Sequence, residues 1–232
     1  PYRAALLTGQ YPARVGILDY LRPDSENGLS TQHITLPEIL SQNQYQTGMI
    51  GKWHLSGYKY HGARNELLPT DHGFTWNTGS ELKSVGNGAN FWPYVFRNQP
   101  IRWIDLPKNK LGQTEYLTDR LNHEAIGFIE RNQDQPFFLY LPMTSPHTPL
   151  SVNKPWIGKS GLNNLYADLV LETDDIFGQV LTSLNKYDMA DNTLVVFTSD
   201  NGCAPYVGVS EDGQGNCENA MEPQGHYPSG PY

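Results

Sequence analysis

Helical periodicity in the apolar residues is strongest in two long segments. Apolar side chains recur about every 3.6 residues over 114–132 and again from Tyr166 to Leu184, which predicts two amphipathic helices. In the second helix the pattern places Val170 on the apolar face. It places three acidic side chains off that face, namely Asp168, Glu172 and Asp175. Each helix is therefore expected to bury one stripe against a sheet.

Two shorter helices are predicted near the start of the chain. An Ala/Leu run over 3–8 ends at Gly9, a residue suited to the left-handed conformation that closes a helix. Thr35 and Glu38 have the spacing of a capping box, with a proline in the first turn, which predicts a helix from there to about Asn43.

Short continuous apolar runs predict strands over 45–50, 137–141 and 194–198. Near-continuous apolar strands that alternate with helices are typical of an α/β domain whose largely parallel sheet is covered on both faces. The 232 residues suffice for one sizeable core. One domain is therefore expected.

The segment 57–112 has no sustained period and is predicted to be a loop-rich insertion with short strands at most. It is rich in glycine and asparagine, and its aromatic residues include Phe74, Trp76, Phe91, Trp92, Tyr94 and Trp103. Aromatic faces stack on sugar rings, so the insertion is a candidate site for binding a carbohydrate. The alternative interpretation is that most of these rings belong to the core.

Charge and cysteine content limit the choice of partner. The formal net charge is −8, which disfavours nucleic acid and anionic membranes as partners and is compatible with a divalent cation. No apolar run approaches the roughly 18 residues of a membrane span. Cys203 and Cys217 lie in one glycine-rich stretch, and the sequence leaves open whether they form a disulfide or remain free thiols.

Polar clusters directly follow the three predicted strands. Lys52 and His54 follow the first, His147 the second, and Asp200 with Asn201 the third. Ligands of α/β proteins bind at the carboxyl ends of the strands, so these clusters are expected to converge on one site. Taken singly, each cluster also has an ordinary structural interpretation: a turn at Asp200, a surface histidine at 147, and a loop anchored by Trp53 around Lys52.

The motifs taken together resemble one family. Pro1-x-Arg3 with Leu7-Thr8-Gly9, Gly-Lys-Trp-His-Leu at 51–55, Pro-His-Thr-Pro at 146–149 and Thr-Ser-Asp-Asn-Gly at 198–202 are similar, in identity, order and spacing, to the type I sulfatases of the alkaline phosphatase superfamily. The resemblance extends through essentially the whole chain. It implies an alkaline-phosphatase-like sandwich with a central, mostly parallel mixed sheet flanked by helices. Tyr2 departs from the small residue usual at its position.

The resemblance also implies roles for individual residues. Arg3 would hold the nucleophile and balance charge beside a calcium ion. Lys52 and His147 would bind the sulfate, and His147 would protonate the leaving alcohol. His54 would assist the nucleophile and accept its proton. Asp200 and Asn201 would be Ca²⁺ ligands, since the metal prefers hard oxygen donors.

Other parts of the family's catalytic apparatus would lie outside these 232 residues. The resemblance implies a formylglycine, made by a maturation enzyme from a Cys or Ser two positions before Pro1, and further calcium aspartates upstream of it. A second sulfate-binding lysine would follow the stretch 227–231. We therefore expect the chain to be part of a catalytic domain and to be inactive alone. The implied substrate is a sulfated carbohydrate or an aryl sulfate, and the implied location is periplasmic or secreted.

Two other functions remain open at this point. A phosphodiesterase or phosphonate hydrolase of the same superfamily would use much of the same ligand set, because sulfate and phosphate esters are similar in geometry. A catalytically inactive relative could bind sulfated glycans without cleaving them. The metal that the protein requires would distinguish a phosphodiesterase or phosphonate hydrolase from a sulfatase. The identity of the nucleophile would distinguish an inactive relative from a sulfatase.

Overall fold

The chain folds around a five-stranded sheet in the computed structural model. The described residues are 1–21, 25–56, 67–78, 116–147, 150–162 and 164–202, with the backbone alone of 95–98 and 102–105. The strands are β1 (Gln46–Ile50), β2 (Trp76–Thr78), β3 (Val95–Asn98), β4 (Arg102–Asp105) and β5 (Phe137–Tyr140). The helices are α1 (Tyr2–Thr8), α2 (Leu36–Gln42), α3 (Leu117–Arg131) and α4 (Leu165–Lys186). Short 3₁₀ turns cover Pro12–Val15, Pro69–His72, Lys154–Trp156 and Ala190–Asn192.

The helix ends form where the sequence predicts them. Gly9 closes α1 in the left-handed region with φ 65°. At the start of α2 the backbone N–H of Thr35 donates to Glu38 Oε2 at 2.8 Å, which is the reciprocal half of the predicted capping box.

The sheet is mixed, with the order β4-β3-β2-β1-β5. Strand β1 lies in the centre and runs parallel to both β2 and β5. Strands β3 and β4 extend the sheet antiparallel from β2 and lie inside the predicted insertion. The α/β class with a parallel centre is therefore confirmed.

Side chains from adjacent positions of β1 enter two separate cores. Met49 packs with Leu7 of α1, and Ile50 packs with Leu121 and Phe128 of α3. Neighbouring residues of a strand point to opposite faces, so the sheet is covered by helices on both sides.

The predicted third strand over 194–198 is wrong for the described structure. No strand is assigned there, and the side chains of Leu194 and Phe197 are 90% and 73% exposed. A continuous apolar run indicates a tendency to form a strand, but a strand also needs a neighbour with which to pair. In the described sheet β1 supplies such a neighbour to β2 and β5, and residues 194–198 pair with none of the five strands.

The predicted burial along α4 needs a second correction. Asp168 and Glu172 were placed off the apolar face, yet they are 2% and 1% exposed, whereas Val170 is 38% exposed. Asp168 is buried because its carboxylate accepts hydrogen bonds from the backbone N–H groups of Gly158 and Ser160, at 2.7 and 2.9 Å. A loop therefore covers α4 on the side that the periodicity assigns to solvent.

The insertion is described only in part. Phe74 belongs to the core and Trp76 is half-buried, with the guanidinium of Arg131 4.7 Å from its ring centre. Phe91, Trp92 and Tyr94, the two cysteines and the stretch 227–231 lie outside the described residues. Among the helices that are described, none combines the length and apolar character of a membrane span.

Candidate active site

The carboxyl ends of three neighbouring strands meet at one point of the sheet. The N–H of Gly51, directly after β1, donates to the carbonyl of Thr78 at 2.8 Å, and the N–H of Lys52 donates to the carbonyl of Pro142 at 2.9 Å. Gly51 has φ 126°, and a Cβ there would lie 2.2 Å from the Pro142 oxygen. Glycine is thus required for the loop after β1 to lie between its neighbours.

Arg3 connects the parts of the site. Its Nη1 donates to the carbonyl of Lys52 at 3.0 Å and to Tyr140 Oη at 3.3 Å. Its Nη2 donates to Asp200 Oδ2 at 2.8 Å. Helix α1 supplies this guanidinium from its second residue, so α1, the loop after β1, the end of β5 and the 198–202 turn meet at one side chain.

Lys52 is buried at the end of β1, with 6% of its surface exposed. Burial and the positive charge of Arg3 lower its pKa to about 8, and the carboxylate of Asp200 partly opposes that shift. Burial thus makes the charged form of Lys52 costly at this position. A bound tetrahedral anion would relieve that cost.

His54 lies in the same loop but not on an extended backbone. Its φ is 57°, in the left-handed region, so Lys52 and His54 do not lie on one extended segment that would project both side chains to the same side. Burial, followed by the charge of Lys52, lowers the pKa of His54 to about 4. The ring is neutral at physiological pH.

The tautomer of His54 follows from its partner. Nε2 lies 3.0 Å from the carbonyl of Leu21, an oxygen that can only accept a hydrogen bond. Nε2 therefore carries the hydrogen, and Nδ1 keeps its lone pair. The arrangement provides an imidazole base with a defined direction.

His147 lies on the loop that begins at Pro142, beside Lys52. Its own N–H donates to the carbonyl of Thr144 at 3.1 Å, and the peptide bond between Ser145 and Pro146 is cis. The imidazole is half-buried. His147 thus follows β5 on the loop that the N–H of Lys52 contacts at Pro142.

Asp200 and Asn201 lie on an exposed turn tied to α1. Besides the bond from Arg3, Tyr2 Oη lies 2.8 Å from Thr198 Oγ1. In the described part of the chain no group of three or more His, Cys, Asp and Glu side chains could hold a metal ion. The pair supplies hard oxygen donors of the type that Ca²⁺ accepts, and these two are fewer than the six to eight oxygens of a complete shell. The donors fit calcium in kind and are too few to complete a site by themselves.

The structure thus joins Arg3 to Lys52 and to Asp200 by direct contacts. His54 is close enough to the positive charges of Lys52 and Arg3 for both to lower its pKa. Trp53 keeps the structural role considered for this loop, since its ring is buried in the core and Nε1 donates to the carbonyl of Leu67 at 2.9 Å. Sequence reasoning missed the hydroxyl of Tyr140 and the carbonyl of Leu21. Tyr140 could have been noticed as a polar tip at the end of an apolar strand, but a backbone carbonyl leaves no signal in a sequence.

The chain is similar to known sulfatases along nearly its whole length. The family model described as Sulfatase matches residues 1–228. N-acetylgalactosamine-6-sulfatase of Homo sapiens is 34% identical over 93% of this chain and 43% of the relative. The crystal structure of Ps i-CgsB in complex with k-i-k-neocarrahexaose superposes with a TM-score of 0.71 at 30% identity, covering 86% of this chain and 47% of that one.

A third comparison supports the fold. A solved structure from work on the metabolism of multiple glycosaminoglycans by Bacteroides thetaiotaomicron has a TM-score of 0.76 at 24% identity. The match covers 99% of this chain and 57% of that one. The present chain spans less than half the length of such curated relatives. The sequence match, the motifs and the shared alkaline-phosphatase-like architecture agree, and the chain belongs to the sulfatase family.

Proposed function

We propose that the protein containing this chain hydrolyses sulfate monoesters, with a sulfated carbohydrate as substrate. The observation that carries the proposal is the buried Lys52 at the end of the central strand, where Arg3 donates to its carbonyl and the positive charge of Arg3 acts on its ammonium group. A buried ammonium whose pKa is lowered by a neighbouring guanidinium is a receptor for a compact anion. Because the chain belongs to the sulfatase family, we infer that this anion is a sulfate ester.

Lys52 binds the sulfate oxygens in this proposal. A compact ammonium can approach a tetrahedral anion from any side, unlike a planar guanidinium. Arg3 has a different task, since its guanidinium already donates to Lys52, Tyr140 and Asp200. It holds the nucleophile and balances charge at the head of α1.

Two histidines divide the proton transfers. Neutral His54, whose Nε2 hydrogen is committed to Leu21, accepts a proton at Nδ1. His147 binds the sulfate and gives a proton to the oxygen of the departing alcohol. The S–O bond to the alcohol breaks as that proton arrives and as a new S–O bond to the nucleophile forms, so the sugar leaves as a neutral hydroxyl compound. The sulfate is then released from the nucleophile as His54 takes the proton of the nucleophile's remaining hydroxyl group.

Asp200 and Asn201 would hold a calcium ion, with further ligands from outside the described residues. The metal, when bound, supplies a Lewis acid for the sulfate oxygens. The nucleophile of this proposal is a formylglycine two positions before Pro1, produced from a Cys or Ser by a maturation enzyme. The calcium ion and the formylglycine are supported by the resemblance of the motifs at Arg3 and at Asp200 to those of the family.

A carbohydrate substrate is supported by the names of the relatives, which include an N-acetylgalactosamine-6-sulfatase and a complex with neocarrahexaose. The insertion 57–112 is proposed to bind the sugar. Phe74 and Trp76 are poor candidates for stacking, because Phe74 lies in the core and Trp76 already contacts Arg131. Any sugar-stacking ring of the insertion is therefore one of the remaining aromatics. Export to the periplasm or the medium belongs to the same proposal.

The test uses the full-length protein, co-expressed with a formylglycine-generating enzyme. Release of inorganic sulfate from sulfated oligosaccharides is measured beside cleavage of aryl sulfates and of matched phosphate mono- and diesters. The proposal expects calcium-dependent sulfate release that Lys52→Ala strongly weakens. Preferential cleavage of phosphate esters would overturn it, and so would binding of sulfated glycans without turnover. Cleavage of aryl sulfates alone would overturn the carbohydrate assignment.

A further inference from the structure

A buried acid and a tyrosine hold the segment that carries His147. Glu172 of α4 is 1% exposed, and its Oε2 accepts a hydrogen bond from the N–H of Asn153 at 3.3 Å. Tyr116, at the start of α3, lies with its hydroxyl 3.1 Å from the same oxygen and 2.7 Å from the carbonyl of Ser151. The two helices therefore meet the chain a few residues after His147.

The other end of the segment is also attached to α4. Thr173, adjacent to Glu172, forms a hydrogen bond of 2.9 Å with the hydroxyl of Ser145. Leu150 and Val152 pack against the buried pair Tyr116 and Leu169. His147 is thus carried between two attachments, at Ser145 and at Ser151 to Asn153, and both depend on neighbouring residues of one helix turn.

The hydrogen count at Tyr116 assigns the protonation of Glu172. The tyrosine hydroxyl has a single hydrogen, and the Ser151 carbonyl can only accept it. If that hydrogen goes to Ser151, the contact between Tyr116 Oη and Glu172 Oε2 needs a hydrogen on the carboxyl group. The other carboxyl oxygen, Oε1, is buried without a hydrogen-bond partner, which is far more costly for a carboxylate than for a neutral acid.

We propose that neutral Glu172 is a positioning residue of this enzyme, which together with Tyr116 fixes residues 151–153 and so the direction of the nearby His147. The proposal rests on the proposed function, because it assumes that His147 binds the sulfate and protonates the leaving group. Ionisation of Glu172 takes the Tyr116 hydrogen away from Ser151 and leaves a buried charge, so the segment opens more readily.

The electrostatic surroundings favour the neutral acid. Burial raises the pKa of Glu172 to about 7, and the hydrogen bond from the N–H of Asn153, followed by the contact with the Tyr116 hydroxyl, opposes that shift. The charged groups acting on it from α3 and α4 are Asp119 and Asp175, two carboxylates that raise its pKa further. On the segment itself Asn153 is neutral, and its side-chain amide donates to Asp119 at 2.8 Å.

The test measures hydrogen exchange of peptides covering 144–153 at about pH 5 and pH 8, with rates expressed relative to the intrinsic rates at each pH. An opening that returns Glu172 to water becomes up to about tenfold more frequent per pH unit between its exposed and buried pKa values. We expect protection of the wild-type segment to fall by at least about tenfold from the lower to the higher pH. Glu172→Gln, a neutral isostere, should keep its protection at both.

Asp175→Asn is the matched control, because it removes a carboxylate from the exposed side of the same helix. It should retain most of the wild-type pH response. A wild-type segment whose protection does not change with pH would overturn the proposal, even if the Glu172→Gln variant failed to fold. A Glu172→Gln variant that responds like the wild type would also overturn it.

Turnover by the full-length protein separates this proposal from the function on which it rests. Glu172→Gln should keep kcat at acidic pH and lose less kcat than the wild type at alkaline pH, with KM little changed. Tyr116→Phe should lower kcat at both, since it removes the bond to Ser151. Absence of sulfate ester hydrolysis would refute the proposed function and leave the exchange result standing. Normal hydrolysis with exchange that ignores Glu172 would refute the positioning role alone.

Discussion

Arg3 Nη2 lies 2.8 Å from Asp200 Oδ2 although 197 positions separate the two residues. This ion pair fastens the 198–202 turn to the first helix, beside a second bond between Tyr2 and Thr198. The apolar run 194–197 just before the turn is exposed, so its position relies on few other contacts. Arg3 therefore has a structural consequence besides its proposed part in catalysis.

Replacing Arg3 by lysine should loosen this connection. A lysine has one ammonium group in place of a planar fork, so it cannot reach Lys52, Tyr140 and Asp200 together. We expect a loss of about 1–2 kcal/mol in the free energy of unfolding, measured by denaturant titration, and faster exchange of 194–202. Arg14→Lys, at an exposed position, is the control and should change neither. Equal stability of both variants would show that the three contacts of Arg3 are energetically unimportant.

The lowered pKa of Lys52 predicts an alkaline limit for substrate binding. Its pKa is about 8, so the ammonium loses its proton, and with it its attraction for sulfate, as the pH rises through that value. KM of the full-length protein should rise above about pH 8. Removal of the amine in Lys52→Met should raise KM by about 10- to 100-fold at neutral pH, the cost of one charge-assisted hydrogen bond.

Lys52→Arg provides the diagnostic control. Guanidinium stays protonated across the accessible pH range, so the alkaline rise in KM should disappear even if the geometry of the site is poorer. A rise in KM that persists unchanged in this variant would mean that a different group titrates.

The hydrogen bond from His54 to Leu21 predicts a fixed tautomer. Nitrogen NMR of the labelled chain should report a neutral ring protonated at Nε2 at pH 7, which gains a second proton only near pH 4. His54→Gln can retain the bond to Leu21 but has no basic nitrogen, so kcat should fall by about 10²- to 10⁴-fold with little change in stability. A ring that titrates near its ordinary value, or one protonated at Nδ1, would contradict the assignment.

How much the sequence predicts differs from one feature to another. The capping box at Thr35, the left-handed Gly9 and the two long helices all follow from local signals, because their causes lie within a few residues. The placement of Lys52 and His54 after a strand also follows. The left-handed backbone of His54 does not follow from local signals, since the ring of this residue is hydrogen-bonded to Leu21, more than thirty positions away.

The burial of charged residues is the feature that the sequence predicts least well. Periodicity places Glu172 and Asp168 off the apolar face because it considers one helix by itself. The structure covers that side of α4 with the segments around Asn153 and Gly158, whose backbone N–H groups need acceptors. A carboxyl group on a helix can thus be buried by a loop that the helix pattern cannot reveal.

Glu172 also makes a prediction for global stability. Its folded-state pKa of about 7 lies above the ordinary 4.5, so the folded state holds a proton that the unfolded state releases. The stability it contributes is fully present below pH 4.5, declines by up to about 1.4 kcal/mol per pH unit above it and levels off past pH 7. The free energy of unfolding of the wild type minus that of Glu172→Gln, from urea titrations, should show this decline. A constant difference would mean that Glu172 titrates normally.

Two glycines give opposite expectations for the same substitution. Gly48 lies in the centre of β1, where a Cβ would come within 2.5 Å of the Phe128 ring, so Gly48→Ala must displace a side chain of the core. We expect a loss of about 1–3 kcal/mol. Gly178 lies within α4 with nothing near its missing Cβ, so Gly178→Ala should stabilise the protein by about 0.5–1 kcal/mol through helix propensity. Denaturant titrations of both variants measure the pair. A Gly48→Ala variant as stable as the wild type would show that Phe128 can move aside, and that α3 is less tightly packed on the central strand than its contacts indicate.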